Sequence, residues 1–586
     1  MPYAWILRTS ILPAMPVVPS ALAPYHRESY TSVERELLEP YFTNLDGPVF
    51  ALTNLPEVVK GALFARYSRS PKSLRRLFLD EFLSRPELEI GRARSKSLQE
   101  NRSSVGTERA VQLYRRVFSD FGDDSVAQLG GVHLACEQSS NLLTKILEWG
   151  RLAAYLEQST RYVRYDLPIG DEARWRYYTP PEVAGSQFLA IFVKFMSSTF
   201  LLYRHIVEVL IEEFSAKYQR HGDSEGVWKA TLKAKACDIA RGLLPVATMS
   251  NVGIYANGQS YESMIIRMRS IPVKESQCCA EMMLTELRKV IPAFMTRVDE
   301  PHKGAAQTEY LREARRVMEA FAQHAESKPQ LDSVGIKVDL VDWDRDGETK
   351  IVADALFAVS QCDAVTLRAR VERLSYDERL TILRSYVGNR RNRRHRPGRA
   401  FEATVYHFDI VCDYANFRDL QRHRMLTIEW QRLTPVLGFT MPEAVEAVGC
   451  AGAWRKQIEQ AEKLYDALRP RLGPDVAQYV LPFSTRIRFH VRMNAREAMH
   501  LIELRTEKGG HTQYRQVCHR MLELIRDKAR HKAIADAIKF ADLEPDYELA
   551  RLEGERRAEL RRARVTSPQE EVEVRSEFQD VSYDGA

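Results

Sequence analysis

Three cationic side chains stand in a row at Arg422-His423-Arg424, with Phe401-Glu402 before them and Asn494-Ala495-Arg496 after. A second stretch, Glu148 to Tyr162, carries Arg151, Glu157, Ser159, Arg161 and two tyrosines, Tyr155 and Tyr162. These residue types suit an anion attached to a ring. An arginine offers a two-pronged donor to a phosphate, a hydroxyl adds one bond, and an aromatic face can cover a base. Each stretch also has a plainer reading. A cationic run is ordinarily a solvated face. Glu157 and Arg161 stand four apart, and as an exposed helical pair they contribute only about 0.2–0.5 kcal/mol. His423 reads equally well as a satisfied core histidine.

No Rossmann glycine fingerprint, P-loop, His-Glu-x-x-His or Gly-x-Ser-x-Gly motif occurs. If the chain is an enzyme of nucleotides, its harder chemistry therefore belongs to a bound cofactor.

Positioning these residues takes more than one ordinary domain, and the chain has 586 residues. Its apolar and charged fractions, 45% and 28%, are those of a globular protein. The net charge of +6 is mild, so arginine clusters matter more than the total. The eight cysteines show no Cys-x-x-Cys, and Cys278-Cys279 are adjacent, which reads as free thiols in a reducing, cytoplasmic setting. Pro13, Pro16, Pro19 and Pro24 break any helical signal region, so 1–25 reads as a disordered leader. No run approaches the roughly twenty apolar residues that span a bilayer.

Periodicity predicts a short helix near 34–38, a basic helix over 74–83 and helical structure through 124–165. It predicts further helices near 186–217, 229–243, 274–297, 306–325, 453–470 and 512–540. Alternation predicts strands over 403–411 and 487–493. The polar segment 326–350 reads as a linker. The expected division is a leader and entry segment over 1–60, a first domain over 61–325, the linker over 326–350, a second domain over 351–545 and a charged tail over 546–586.

The two domains read as copies. Ala62-Leu63-Phe64-Ala65 opens one and Ala355-Leu356-Phe357-Ala358 the other. Leu244-Pro245 leads to Asn257, and Leu481-Pro482 leads at equal spacing to Asn494. Four anchors in one order argue for duplication, and the period is too long for a solenoid.

Both copies resemble the flavin-dependent thymidylate synthases (the ThyX family). That family's hallmark runs Arg-His-Arg and then Asn-Glu-x-Ser-x-Arg-Tyr. An arginine ahead of Leu-Pro, an Asn-x-Arg and a Leu-Arg follow. The first copy matches the back of the hallmark at Glu157, Ser159, Arg161 and Tyr162, with Arg151 on the second arginine of Arg-His-Arg. Trp149 and Gly150 replace the first arginine and the histidine. Arg241 precedes Leu244-Pro245 and Asn257 matches, but Gln259 and Met268 depart. Asp124 to Gln128 is a faint version of the family's early loop. The second copy keeps Arg422-His423-Arg424, Asn494, Arg496 and Leu504-Arg505, with His395 as the loop histidine. Gln478 replaces the arginine ahead of Leu-Pro, and Glu429 to Arg432 fits only with a gap.

The losses are complementary. The resemblance implies an α+β fold in two fused copies, helices packed on a twisted sheet, with one composite site between them. It implies methylation of deoxyuridylate (dUMP) at C5, with FAD as cofactor and NADPH and methylenetetrahydrofolate as co-substrates. Arg151, Glu157, Ser159, Arg161, Arg241 and Arg505 become the nucleotide residues, with Arg161 and Arg505 catalytic. His395, Arg422, His423, Arg424, Asn494 and Arg496 become the flavin residues, and no metal is implied. The implied assembly is a homo-oligomer of pseudo-dimers. Rival readings are a relative that binds flavin or nucleotide without turnover, another C5-modifying flavoenzyme, and a nucleic-acid binder using the arginine run 390–399.

Overall fold

The computed structural model describes residues 25–83, 128, 130–169, 174–325, 335–545 and 547–565. Two four-stranded antiparallel sheets organise them. The first comprises β1 (Val49–Leu52), β2 (Gly131–Ser140), β3 (Ala153–Glu157) and β4 (Met249–Asn257), in the order β1-β2-β4-β3. The second comprises β5 (Lys337–Trp343), β6 (Val405–Asp413), β7 (Leu426–Trp430) and β8 (Arg486–Asn494), in the order β5-β6-β8-β7. The fold is α+β in two copies, as expected.

The same local devices build each copy. Strands β2 and β6 each run into a short helix, Asn141–Leu147 and Tyr414–Leu420. Ser140 Oγ caps the first by accepting from Leu143 N at 3.0 Å, and Asp413 Oδ1 caps the second by accepting from Asn416 N at 2.9 Å. Strands β4 and β8 end in Asn257 and Asn494, whose side chains cap the helices Gly258–Ser270 and Ala495–Arg505. Each cap satisfies a helix N–H that would otherwise lack a partner, at a worth of about 1 kcal/mol.

Four expectations need correction. The stretch 124–165 is not helical throughout. Its described part is β2, the helix Asn141–Leu147 and β3. Leu142, Leu143, Ile146 and Leu147 do form a helical face, but Leu134 lies on a strand buried on both faces, where alternation disappears. The expected linker contains β5, which buries Val338 and Leu340 against β6. The expected entry segment contains β1, whose four residues are all buried. The helix Leu189–Lys217 is long and apolar enough to cross a membrane by length and composition. Here it is a core helix, burying Phe192, Phe195, Phe200, Tyr203 and Leu210. The early-loop residues 124–127, the leader 1–24, the linker part 326–334 and the tail 566–586 lie outside the described residues.

The two Leu-Pro steps meet. Pro245 and Pro482 pair antiparallel. Val246 N donates to Leu481 O at 2.8 Å, and Phe483 N donates to Leu244 O at 2.9 Å. Equivalent residues thus exchange equivalent bonds about a local two-fold axis, and one hydrophobic core runs through both copies. All eight thiols are free.

Candidate functional site at the seam

The short capped helices aim their last turns across the two-fold seam. Helix Tyr414–Leu420 carries Arg418 and Asp419, and Arg422 follows it. Opposite, β3 ends at Glu157, which is fully buried. Arg418 Nη2 donates to Glu157 at 2.9 Å, Arg422 Nη2 at 2.5 Å, and Lys145 Nζ lies 3.4 Å away. Lys145 also pairs with Glu148. Burial pushes the Glu157 carboxyl up, but Arg418, Lys145 and Arg422 outweigh it and hold the group well below the usual carboxylate range.

Beyond Glu157 the chain turns and presents Arg161. Its Nε and Nη2 donate to the two carboxylate oxygens of Asp238 at 2.7 and 2.6 Å. It also reaches the other copy, with Nη2 donating to Gly509 O at 3.2 Å and Nη1 to the Tyr514 hydroxyl at 3.4 Å. Asp238 precedes Arg241 by one helical turn, so both face the same side. Arg241 is 3% exposed, yet its Nε and Nη2 make no hydrogen bond. Its nearest carboxylates are Asp238 at 3.2 Å and Asp419 at 3.7 Å, neither well aligned. Arg161, Asp238, Arg241, Asp413 and His511 line a cavity of about 810 Å³ between the copies. Burial first, and then Arg241 and Arg161, outweigh Asp238 and leave His511 near a pKa of about 4, hence neutral. A buried guanidinium with unused donors, facing a cavity, fits a phosphate.

Arg505 enters beside Asp419, 3.9 Å away, and covers the Tyr514 ring at 5.7 Å. Its Nε donates to His423 Nε2 at 3.0 Å. Arginine cannot accept, so His423 Nε2 carries a lone pair and Nδ1 carries the proton, which is donated to Glu497 at 2.9 Å. Burial, then Arg505, Arg396 and Arg424, hold His423 well below its usual pKa, consistent with that neutral tautomer. His423, Glu497 and His500 bring ligand atoms within 4.8 Å of one another. Both His423 nitrogens are already engaged, and Arg396 donates towards His500 at 2.9 Å, so the cluster works as a hydrogen-bond chain.

The sequence-selected residues therefore fall into two groups. Glu157, Arg161, Arg241, Arg422 and Arg505 converge at the seam, with Ser159 beside them accepting from Arg161 N at 3.3 Å. Arg151 does not join them. Its Nη2 donates to Thr427 Oγ1 at 2.9 Å, and it shares a smaller cavity of about 170 Å³ with Trp149, His423 and Arg424. Arg424 itself donates to Ala153 O across the seam. Arg496 Nε donates to Pro397 O at 3.0 Å, which holds the 390–399 loop against the start of helix Ala495–Arg505. Asn494 spends its side-chain oxygen on the helix cap. His395 is exposed and folded into its own loop, accepting from Arg391 N at 3.3 Å. The arginine run there is partly engaged, while Arg391, Arg394 and Arg399 stay exposed. Arg390 is buried against Glu503 at 2.7 Å, and Arg393 and Arg399 pair with Glu507 and Glu402.

Arg418, Asp419, Lys145, Asp238, His511 and Tyr514 were not singled out by sequence. Only Arg418-Asp419, one helical turn ahead of the cationic triplet, and Asp238, one turn before Arg241, carried a readable signal.

The model of the family described as thymidylate synthase complementing protein (Thy1) matches residues 80–293 and again 340–529. The chain belongs to that family. The first Thy1 segment contains β2, β3 and β4 but not β1, and the second contains β6, β7 and β8 and begins within β5. A Chlamydia muridarum protein described as UPF0159 is 37% identical over 534 residues, covering 90% of this chain and 98% of the relative. A flavin-dependent thymidylate synthase of Pyrococcus abyssi is 32% identical over 155 residues, 25% of this chain and 62% of that protein. A solved UMP/dUMP methylase, PolB of Streptomyces cacaoi, matches at 19% identity, covering 35% of this chain and 97% of that one, with a TM-score of 0.28.

The second seam position of this Thy1 chain is filled. Trp149 occupies the place equivalent to Arg422, two residues past its short helix, and Trp430 ends β7 as Glu157 ends β3. The two indoles pack edge to face at 4.9 Å. Gly242 accepts from Ser484 N, and its equivalent Tyr479 accepts from Ala247 N. The Tyr479 ring packs against Tyr178 at 5.7 Å and its hydroxyl donates to buried Glu275 at 2.6 Å. Trp149, Trp430 and Tyr479 thus stand where the first seam position has Arg422, Glu157 and Gly242, and the cavity beside Trp149 is the smaller one of about 170 Å³.

Proposed function

We propose that this Thy1 chain is a flavin-dependent thymidylate synthase with one composite site, methylating dUMP at C5 with methylenetetrahydrofolate and NADPH. The observation that carries the reading is Arg241, buried with two unused donors beside Arg161, facing a cavity completed by the other copy. Such donors suit the 5′-phosphate. Arg505, held by His423, is the candidate to stabilise negative charge developing on the pyrimidine ring. Arg161 then binds and orients the nucleotide from the opposite side.

The residues near the start of helix Ala495–Arg505 fit a phosphate-bearing cofactor. Arg396, Arg424 and Arg496 gather there around neutral His423, an arrangement suited to a dinucleotide's charged linkage. When bound, FAD supplies the reducing equivalent that the methyl transfer consumes. We assign Arg422, His423, Arg424, Asn494, Arg496 and the His395 loop to that half of the site. A pair of such chains gives the homo-oligomer of pseudo-dimers, in a reducing cytoplasm.

The test is the visible spectrum of the purified protein, followed by titration with dUMP. Flavin bands that shift on adding nucleotide place both ligands in one site, and turnover with methylenetetrahydrofolate and NADPH completes the case. A protein that stays colourless and cannot be loaded with FAD overturns the synthase reading.

A further inference from the structure

The chain continues past the second Thy1 segment, which ends at residue 529. It runs back over the seam and ends its described part in helix Leu552–Val565, laid along helix Glu225–Ala240 of the first copy. Arg556 grips both carboxylate oxygens of Asp223 at 2.5 and 2.9 Å. Lys235 Nζ donates to Glu548 O at 2.5 Å. On the other side, Lys508 and Arg515 of the second copy lie over the Tyr547 ring at 5.2 and 5.1 Å. The segment is therefore strapped to both copies.

Its underside lines the seam cavity, with Tyr547 and Glu548 to Arg551 forming part of the wall that also holds Arg161 and Arg241. The Arg551 guanidinium sits 4.2 Å from the centroid of Tyr162, the neighbour of Arg161. Burial, and then the like charge of Arg161, pull its pKa below the ordinary guanidinium range. Three guanidiniums, from Arg161, Arg241 and Arg551, thus converge about Asp238. Arg161 already claims both oxygens of that carboxylate, and Arg241 has donors to spare. A dianionic phosphate matches this surplus.

We propose that Arg551 is a third phosphate ligand of the site, delivered by a C-terminal strap that closes over the 5′-phosphate of a pyrimidine nucleotide. This rests on the nucleotide reading above. The strap adds a donor that neither Thy1 segment contains, and by covering the seam it keeps water from the arginines, which strengthens their hold on the anion.

Full-length wild type, R551Q, R551K and R241Q are titrated calorimetrically with dUMP, deoxyuridine and inorganic phosphate. R551Q is expected to weaken dUMP about ten- to a hundredfold while leaving deoxyuridine unchanged. R551K is expected to fall between, because it keeps the charge but not the fork. R551Q binding dUMP within about twofold of wild type, while R241Q loses it, overturns the assignment. If wild type takes phosphate but not dUMP, and R551Q loses the phosphate, the Arg551 ligand stands and the pyrimidine reading falls. Wild type that takes neither overturns both.

Discussion

Arg422 of the second copy lies 2.5 Å from Glu157 of the first, and at the equivalent seam position the same two places are held by Trp149 and Trp430. An ion pair on one side of the local axis is an aromatic pair on the other. In a symmetric dimer both seams must carry the same residues. Fusion of the copies removes that constraint. One seam can keep buried charge facing a cavity, while the other is packed and contributes stability.

Glu157 compensates the buried Arg418 and Lys145 and the partly exposed Arg422, so its removal is costly. Glu157→Ala leaves Arg418, Arg422 and Lys145 without it and is expected to lower unfolding stability by about 3–5 kcal/mol. Chemical denaturation of the variant measures this. A loss below about 1 kcal/mol would show the cluster to be solvated rather than buried.

Arg161 and Arg424 come from different copies but, under the proposed function, serve one site. R161A combined with R424A is expected to lose no more turnover than the worse single variant. Steady-state rates of the four proteins decide it, and additive losses would mean two independent sites.

His423 holds Arg505 through its unprotonated nitrogen. H423A frees that guanidinium and is expected to lower kcat by about a hundredfold with little change in KM for dUMP. Glutamine places an oxygen near the same point, so H423Q is expected to recover part of the loss. Equal damage in both variants, with KM raised, would assign His423 to packing alone.

Glu275 lies buried at the filled seam, accepting from Ser140 N at 2.8 Å, Ser140 Oγ at 2.5 Å and the Tyr479 hydroxyl at 2.6 Å. Burial raises its pKa from 4.5 to about 7, only partly offset by those bonds. The folded state therefore holds this proton more tightly than the unfolded state. The contribution to stability is complete below about 4.5 and is lost as pH rises through about 7. Its size is roughly 3 kcal/mol at most. Carboxylates held low, such as Asp238 and Asp419, act with the opposite sign, so the readout is the difference between wild type and E275Q across this window. An unchanged difference from pH 4.5 to 7 would refute the assignment.

The duplication and the strands near 403–411 and 487–493 were legible in the sequence, and it singled out arginines whose side chains suit a phosphate. These are local properties: equal spacing after Leu-Pro, alternation along a strand, and arginine beside hydroxyl. It also suggested that each copy lacks what the other keeps. The tertiary structure alone decided which residues meet. Arg418 and Glu157 are 261 positions apart, and neither carries a local sign of the other. The same holds for β1 and β5. They read as entry segment and linker because runs of four and seven residues are too short to declare a strand, which forms only when a partner edge is present to take its hydrogen bonds. Leu134 misled for a related reason, since a strand covered on both faces shows no alternation. Arg241 was chosen by its place before Leu-Pro. That it is buried with donors unspent is a property of the seam, created only when the two copies close on each other.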